Sequence, residues 1–408
     1  MHKIERLLQT LAPKGVEFRK LGEVINILKG KQLNKELLLD YGEYPVMNGG
    51  IYASGYWNEY NTDCPKIIIS QGGASAGYVN YMTSKFWAGA HCYTIELNSE
   101  KLNYKFLYYF LKNSQTILMK SQFGAGIPAL NKADIETLTI PIPPLEIQQE
   151  IVKILDAFTE LNTELNTELK ARKKQYQYYQ NMLLDFNDIN SNHQDAKERL
   201  AQKTYPKRLK SLLQTLAPKG VEFRKLGEVL EYDQPNKYCV TSKEFDKSYP
   251  TPVLTAGKTF ILGYTNEKDN IYQASKSSPV IIFDDFTTAT QWVDFPFKVK
   301  SSAMKILLPK NPTINIRFIF FYMQTIPYNI SGEHTRQWIS RYSKITIPIP
   351  PLEIQQEIVK ILDQFSILTT DLLAGIPAEI EARKKQYEYY REKLLAFKPL
   401  TPHKEVKK

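Results

Sequence analysis

Two long stretches of this chain occur twice without a single change, and that duplication constrains the fold more than anything else in it. Residues 7–24 (LLQTLAPKGVEFRKLGEV) return as residues 212–229, and residues 139–156 (TIPIPPLEIQQEIVKILD) return as 346–363. A third element, Ala-Arg-Lys-Lys-Gln-Tyr, stands at 171–176 and 382–387, followed by Tyr178-Tyr179 and Tyr389-Tyr390. The copies lie about 205 residues apart, far beyond the roughly 20–50 residues of a solenoid unit. Each copy is therefore a whole domain with an attached element. Between the matches the register is lost, apart from traces such as Pro45-Val46, Gly50 and Gly55-Tyr56 against Pro252-Val253, Gly257 and Gly263-Tyr264. Constant flanks point to a shared scaffold or partner, and diverged middles to two different ligands. Recombination of the flanks without functional meaning is the bland alternative.

The middles have the pattern of mixed α/β domains. Lys66–Ser70 and residues 279–283 are β-branched runs bounded by Gly, Ser and Asn turns. Residues 104–119 and 316–326 have the pattern of short apolar helices. A Pro-Ile-Pro-Pro-Leu-Glu segment then bars helix up to Pro144 and Pro351, each of which suits the first turn of a following helix. In that helix Ile147, Ile151, Ile154, Phe158, Leu161 and Leu165 alternate steps of four and three, a coiled-coil seam. Ile354, Ile358, Ile361, Phe365, Leu368 and Leu372 do the same in the second copy, so the two stripes are expected to bury each other. A helix over 145–184 would run about 60 Å and act as a spacer. Within it Thr-Glu-Leu-Asn is repeated at 159–162 and 163–166 and begins again at 167–169. Each unit adds about 6 Å of helix, as a length-adjusting device would. Pro377 should kink or break the second helix.

The predicted organisation is a recognition domain over 1–143, a central helix over 144–185, a polar exposed linker over 186–211, a second domain over 212–350, a distal helix over 351–397 and a basic tail over 398–408. The fold class is α/β in the α+β sense: two similar mixed domains joined by two long helices in an antiparallel coiled coil with pseudo-two-fold symmetry.

A net charge of +10 suits a polyanionic partner such as DNA, although a basic protein need not bind one. Cys64, Cys92 and Cys239 are far apart and form neither a CxxC pair nor a disulfide framework, and no apolar run reaches membrane-spanning length. A reducing cytoplasm is the expectation. Catalytic patterns are missing. There is no P-loop, and no Asn/Asp-Pro-Pro-aromatic loop for amino-group methylation. Ile127-Pro128 follows Gly124-Ala125-Gly126 where a cofactor-binding helix should start. Asp284-Asp285 lacks the companions of a nuclease centre and reads as a turn or a cytosine-contacting edge. His91-Cys92 reads as packing, and five scattered histidines give no metal pattern. No catalytic residue, metal or cofactor is assigned to this chain.

For nucleic-acid contact, Gln71, Gly72 and Ser75 lie in a glycine-rich turn that serves equally as a phosphate cradle or a hairpin. Asn48 and Tyr52 in the first domain, and Lys258 and Thr259 at the matching place in the second, stand beside glycine turns. Arg336, Gln337, Trp338 and Arg341 form a basic-aromatic cluster whose Arg suits guanine and Gln adenine.

These motifs together resemble the specificity subunit of type I restriction–modification systems over nearly the whole chain. The resemblance rests on the doubled IPIPPLEIQQEI, on both Arg-Lys-Lys-Gln-Tyr-x-Tyr-Tyr helix ends, and on residues 124–132 (GAGIPALNK), which add Asn131 and Lys132 to the DNA-contacting candidates. At that last site the second half keeps only Ser331-Gly332. The resemblance implies two target-recognition domains on a bipartite DNA site and two helices as a ruler. It implies two modification subunits carrying S-adenosylmethionine, and restriction (motor-nuclease) subunits using ATP and Mg. Spacer and partner-docking positions would be Leu161, Leu165, Leu169, Arg172, Lys173, Tyr176 and Tyr179 on one helix and Arg383, Lys384, Tyr387 and Tyr390 on the other. A self-contained DNA methyltransferase and a protein-only coiled-coil scaffold are the competing readings.

Overall fold

The identical flanks pair with each other. The computed structural model describes residues 2–124, 128–190, 195–256, 259–327, 336–370 and 375–400. It divides into two compact units, 1–166 with 379–408, and 167–378.

The first unit opens with helix α1 (His2–Leu11) and strands β1 (Glu17–Lys20), β2 (Ile25–Lys29), β3 (Tyr44–Met47), β4 (Gly55–Trp57), β5 (Lys66–Ser70), β6 (Val79–Met82), β7 (Trp87–Ala88) and β8 (Cys92–Leu97). Helices α2 (Tyr104–Asn113), α3 (Gln115–Lys120) and α4 (Lys132–Glu136), strand β9 (Thr139–Ile142) and the start of α5 (Leu145–Leu184) complete it. Strand β1, from one repeated flank, pairs antiparallel with β9 from the other, Glu17 opposite Ile142. The main sheet runs β2-β8-β5-β6 and a smaller one β4-β3-β7. Ile67 and Ile69 of β5 are fully buried, as a β-branched run at the centre of a covered sheet requires. Helix α2 starts at Asn103, whose side chain accepts hydrogen bonds from the Lys105 and Phe106 amides.

The second unit repeats this plan. After α6 (Ala196–Gln202) and α7 (Lys207–Leu216) come β10 (Glu222–Lys225), α8 (Leu226–Val229), β11 (Leu230–Asp233), β12 (Thr251–Leu254), β13 (Ile261–Thr265), β14 (Val280–Asp284), β15 (Thr290–Val293), β16 (Lys298–Val299) and β17 (Met304–Pro309). Then follow α9 (Ile316–Met323), α10 (Gln337–Ser340), β18 (Thr346–Ile349) and α11 (Leu352–Thr370). The sheets are β10-β18, β11-β17-β14-β15 and β13-β12-β16, matching the first unit strand for strand. The diverged middles thus keep one topology.

The repeated Pro-Pro-Leu-Glu-Ile-Gln-Gln segment has an internal task in each unit. Gln148 is fully buried; its carbonyl accepts from the Asn103 amide at 2.7 Å, and its amide donates to the Lys101 and Pro143 carbonyls. Gln355 makes the same three bonds with Asn315, Thr313 and Pro350. Asp156 then pairs with Lys105, and Asp363 with Arg317, each at 2.8 Å.

Two expectations change and one is met. First, the seam is not a coiled coil from its start. Ile147, Ile151 and Leu155 are fully buried in four-residue steps, while Ile154 is only half-buried; Ile354, Ile358 and Leu362 repeat this. An i, i+4 face of each helix packs on its domain core. Only beyond it do Phe158, Leu161, Leu165 and Leu169 form a half-buried stripe.

Second, residues 186–211 are not an exposed linker. Phe186, Ile189, Leu200, Tyr205 and Leu209 are buried in the core of the second unit, and the described residues of the segment fold into short helices. The break expected from Pro377 is met: among the described residues the distal segment is two helices, α11 and α12 (Ile376–Leu395), with Leu372 outside those residues. Pro377 sits in the first turn of α12, where its missing N–H costs nothing.

The helix ends are exchanged between copies. In the first unit Phe158 stacks on Tyr390 at 5.5 Å, and Leu394 and Leu395 join the core that holds Ile147 and Ile151, so α5 and α12 run antiparallel there. In the second unit Phe365 stacks on Tyr179 at 5.0 Å. Each body is therefore closed by the Tyr-Tyr element of the other copy.

Candidate nucleic-acid interface

In the first unit, four turns meet at one edge of the sheets. The turn after β3 is fixed to the β7–β8 turn, since the Gly89 amide donates to the Met47 carbonyl at 2.8 Å and Asn48 Oδ1 accepts from the His91 amide at 3.1 Å. The turn after β5 joins them where the Gln71 amide donates to the His91 carbonyl at 2.9 Å. The segment before α4 closes the group: Leu130 donates to the Gln71 carbonyl, and Gly73 to that of Pro128, each at 2.8 Å. Gly49 holds φ +84, and a Cβ there would lie 3.0 Å from the His91 carbonyl oxygen, so only glycine permits this approach.

Within that frame the sequence candidates separate. Tyr52 is 83% exposed on a loop pinned by Asn80, whose amide donates to the Ile51 carbonyl. The Asn48 side chain is engaged internally. The amides of Gln71, Gly73, Ala76, Gly77 and Tyr78 all donate within the protein, so the glycine turn has the bonding of a hairpin rather than of a phosphate cradle. Gly72 pairs with Ala129 in an isolated bridge, and Ser75, half-buried, offers its carbonyl to Tyr78. Asn131 and Asp134 form a capping box on α4, and exposed Lys132 pairs with Glu136 at 3.3 Å. Sequence reasoning missed the exposed Lys31, whose amide bonds the Ala88 carbonyl beside this edge.

His91-Cys92, expected to be packing, is split by the strand. Cys92 is buried, which pushes its thiol up to about 12, while His91 is exposed.

The second unit builds the same edge with other side chains. The backbone amides of Lys300, Asp285 and Gln337 donate to the carbonyls of Leu254 at 2.7 Å, Ala303 at 3.2 Å and Asp285 at 2.8 Å, matching those of Gly89, Gln71 and Leu130. Thr259, Arg336 and Arg341 are exposed here, as is Lys300, which had no sequence signal; Lys258 lies outside the described residues. Gln337 and Trp338 correct the expectation of one basic-aromatic cluster, since they are 1% and 2% exposed. The indole packs edge-on against Phe283 at 5.4 Å, and burial of its large apolar ring outweighs adjacency to two arginines.

Asp284-Asp285 holds a turn. Asp284 accepts from the Phe286 and Thr287 amides, and Asp285 accepts from the Trp338 amide at 2.8 Å. Lys305 Nζ lies 3.6 Å from Asp285, bonds Gln234 and sits over the Tyr232 ring. Burial lowers the pKa of this lysine, while Asp285 works against that. No set of three or more metal-binding side chains is grouped among the described residues, and no helix among them is long and apolar enough to cross a membrane.

On the helices, Tyr179, Tyr387 and Tyr390 are engaged in stacking within their units, and burial raises Tyr176. Arg172 and Arg383 form ion pairs with Glu168 and Glu379, four residues earlier. Lys173 and Lys384 are exposed, as are Tyr178 and Tyr389 at 61% and 56%, each of these rings packed edge-on against the tyrosine that follows it.

The profile of the type I restriction modification DNA specificity domain matches residues 13–175 and again 218–382. The chain belongs to this family. Each match covers one copy of the specificity domain with its flanks and helix. A type I restriction enzyme specificity subunit of Escherichia coli is 54% identical over 188 residues, spanning 44% of this chain and 45% of that one. A putative type I restriction enzyme specificity subunit of Haemophilus influenzae is 31% identical over 417 residues, spanning 97% of this chain and 98% of that one. The crystal structure of an S subunit from a type I restriction-modification system of M. genitalium covers 93% of this chain and 96% of that one, with TM-score 0.63 and 20% identity, a likeness of fold. The specificity-domain match joins the two lines of geometry, one scaffold used twice and two edges with different side chains.

Proposed function

We propose that this chain is the DNA-reading subunit of a type I restriction–modification enzyme and performs no chemistry itself. Each recognition domain reads one half of an asymmetric, two-part duplex site through its turn-rich edge. The single observation carrying this reading is that matched backbone hydrogen bonds hold two edges whose side chains differ, such as Gly89 against Lys300 and Gln71 against Asp285. One scaffold with two chemistries reads two sequences.

Tyr52, Lys31, Asn131 and Lys132 are the contacts of the first domain. Thr259, Lys300, Arg336 and Arg341, with Lys258, are those of the second. The exposed Lys173, Tyr178, Lys384 and Tyr389 on the duplicated helix ends give two modification subunits the same docking surface. Those subunits supply S-adenosylmethionine, and restriction subunits supply ATP- and Mg-dependent translocation and cleavage. The complex works in the cytoplasm. The 159–169 tandem lies wholly within α5, where four residues amount to about 6 Å of rise, so the helix sets the unspecified spacer.

The test is to map methylated sites made by the full chain with a modification subunit, before and after deletion of residues 163–166. The expected result is two short specified elements with a shortened gap and unchanged bases. A contiguous motif, changed half-site bases with the old gap, or methylation by the highly purified chain alone would overturn the reading.

A further inference from the structure

We propose that His91 is a specificity-determining residue of the first recognition domain, its imidazole N–H donating to a purine acceptor in one half-site. The inference rests on the DNA-reading function proposed above and names a residue within it.

The position is built for reading. Its main chain is held from two sides, the amide by Asn48 Oδ1 at 3.1 Å and the carbonyl by the Gln71 amide at 2.9 Å. The ring points outward and makes no hydrogen bond to the described residues. Its neighbours are glycines. A Cβ on Gly49 would meet the His91 Cβ at 3.1 Å, one on Gly72 would stand 3.6 Å from Nδ1, and one on Gly73 would meet nothing within 4 Å among the described residues. The bare backbone therefore leaves the ring open to a large ligand. Beside it Asn48 and Asn131 bond backbone and Lys132 pairs with Glu136, while Tyr52 and Lys31 stand exposed. In the second unit the same backbone bond, from Asp285 to the carbonyl before β17, falls on Ala303. The two domains thus differ here between a hydrogen-bonding ring and a methyl group, on a backbone that does not differ. Of the major-groove acceptors, guanine O6 and N7 are those most often read by side-chain donors.

The experiment selects bound duplexes from a randomised pool with the full chain assembled on a modification subunit. Wild type should yield a two-part motif. His91→Ala should lose preference at one position of one half, on the order of tenfold, with the other half intact. His91→Gln, which keeps a donor, should retain part of that preference. Ala303→His should alter only the opposite half. An unchanged motif for His91→Ala, or a uniform loss of affinity with the motif unchanged, would overturn the proposal. A wild-type complex that selects no two-part motif would instead overturn the DNA-reading function itself.

Discussion

The two recognition domains share a scaffold but anchor their edges by different means. In the first, the anchors are neutral: Asn61 grips Ala88 by accepting from its amide at 2.7 Å and donating to its carbonyl at 3.0 Å, Asn48 caps His91, and Gln71 buries an amide oxygen with no partner among the described residues. In the second, charges do this work, with Asp285 in the place of Gln71 and Lys298 in that of Trp87. Lys298 pairs with Glu267 at 2.8 Å and Lys305 with Asp285 at 3.6 Å, all four side chains at 13% exposure or less. A buried amide loses a few hydrogen bonds when mutated, whereas a buried charge loses the partner that made burial tolerable. The same fold should therefore be tolerant in one domain and brittle in the other.

The largest expected effect follows directly. Asp285→Ala leaves Lys305 buried without its countercharge and the Trp338 amide without its acceptor, and should destabilise the second unit by roughly 3–5 kcal/mol. Gln71→Ala, at the matching place, should cost the first unit about 1 kcal/mol. Hydrogen exchange of the intact chain, read separately over residues 66–97 and 280–309, measures both. Equal losses would erase the contrast.

The shared scaffold should behave alike in both units. Gln148→Leu and Gln355→Leu each strand a buried backbone amide and two carbonyls. Each should destabilise its own unit by about 2.5 kcal/mol. A large loss in only one unit would mean that identical sequence is not doing identical work.

This division explains what could be read in advance. The duplication, the β5 and β14 strands, the long helix and its proline start were legible because flank identity and apolar periodicity are local signals. The candidate edge was half legible. Glycine turns marked Tyr52 and the 71–77 hairpin, but adjacency misled at Gln337 and Trp338, where the chain turns both inward. His91 is exposed because it lies in the turn before β8, whose first four residues are all buried, and a two-residue pair gives no sign of where that strand begins. Residues 186–211 misled because so few apolar residues, Phe186, Ile189, Leu200, Tyr205 and Leu209, are spread among charges; tertiary contacts, invisible to composition, bury them. The exchanged helix ends were equally hidden, since identical Tyr-Tyr elements do not reveal which copy they close.

Acid should reach the second domain first. Burial alone would raise Glu267, but the Lys298 ammonium and the groups of Ser242 and Thr241 pull its carboxyl down to about 2. A folded-state value below the ordinary 4.5 means stability present above that pH and lost as pH falls toward about 2. Between pH 6 and pH 3 the second unit should lose about 1 kcal/mol through this group, after allowing for solvent screening. Glu267→Gln should flatten that difference, since Asn61, an anchor of the first unit, carries no charge to titrate. Urea titrations with exchange readout at both pH values decide it. An equal Glu267-dependent loss in the first unit would remove the neutral-against-charged distinction.

The smallest effect probes the exchange of helix ends. Phe158 meets Tyr390 at 5.5 Å and Phe365 meets Tyr179 at 5.0 Å, both stacked and half-buried. Aromatic stacking adds a pairwise component beyond area burial, here about 0.5 kcal/mol given the exposure. Double-mutant cycles to leucine should therefore show coupling for Phe158 with Tyr390 and for Phe365 with Tyr179. The within-copy pairs, Phe158 with Tyr179 and Phe365 with Tyr390, should show none, because residues without contact add independently. Coupling that followed the copy instead of the exchange would mean each domain is closed by its own helix end, and the two units would have to be redrawn along the duplication boundary.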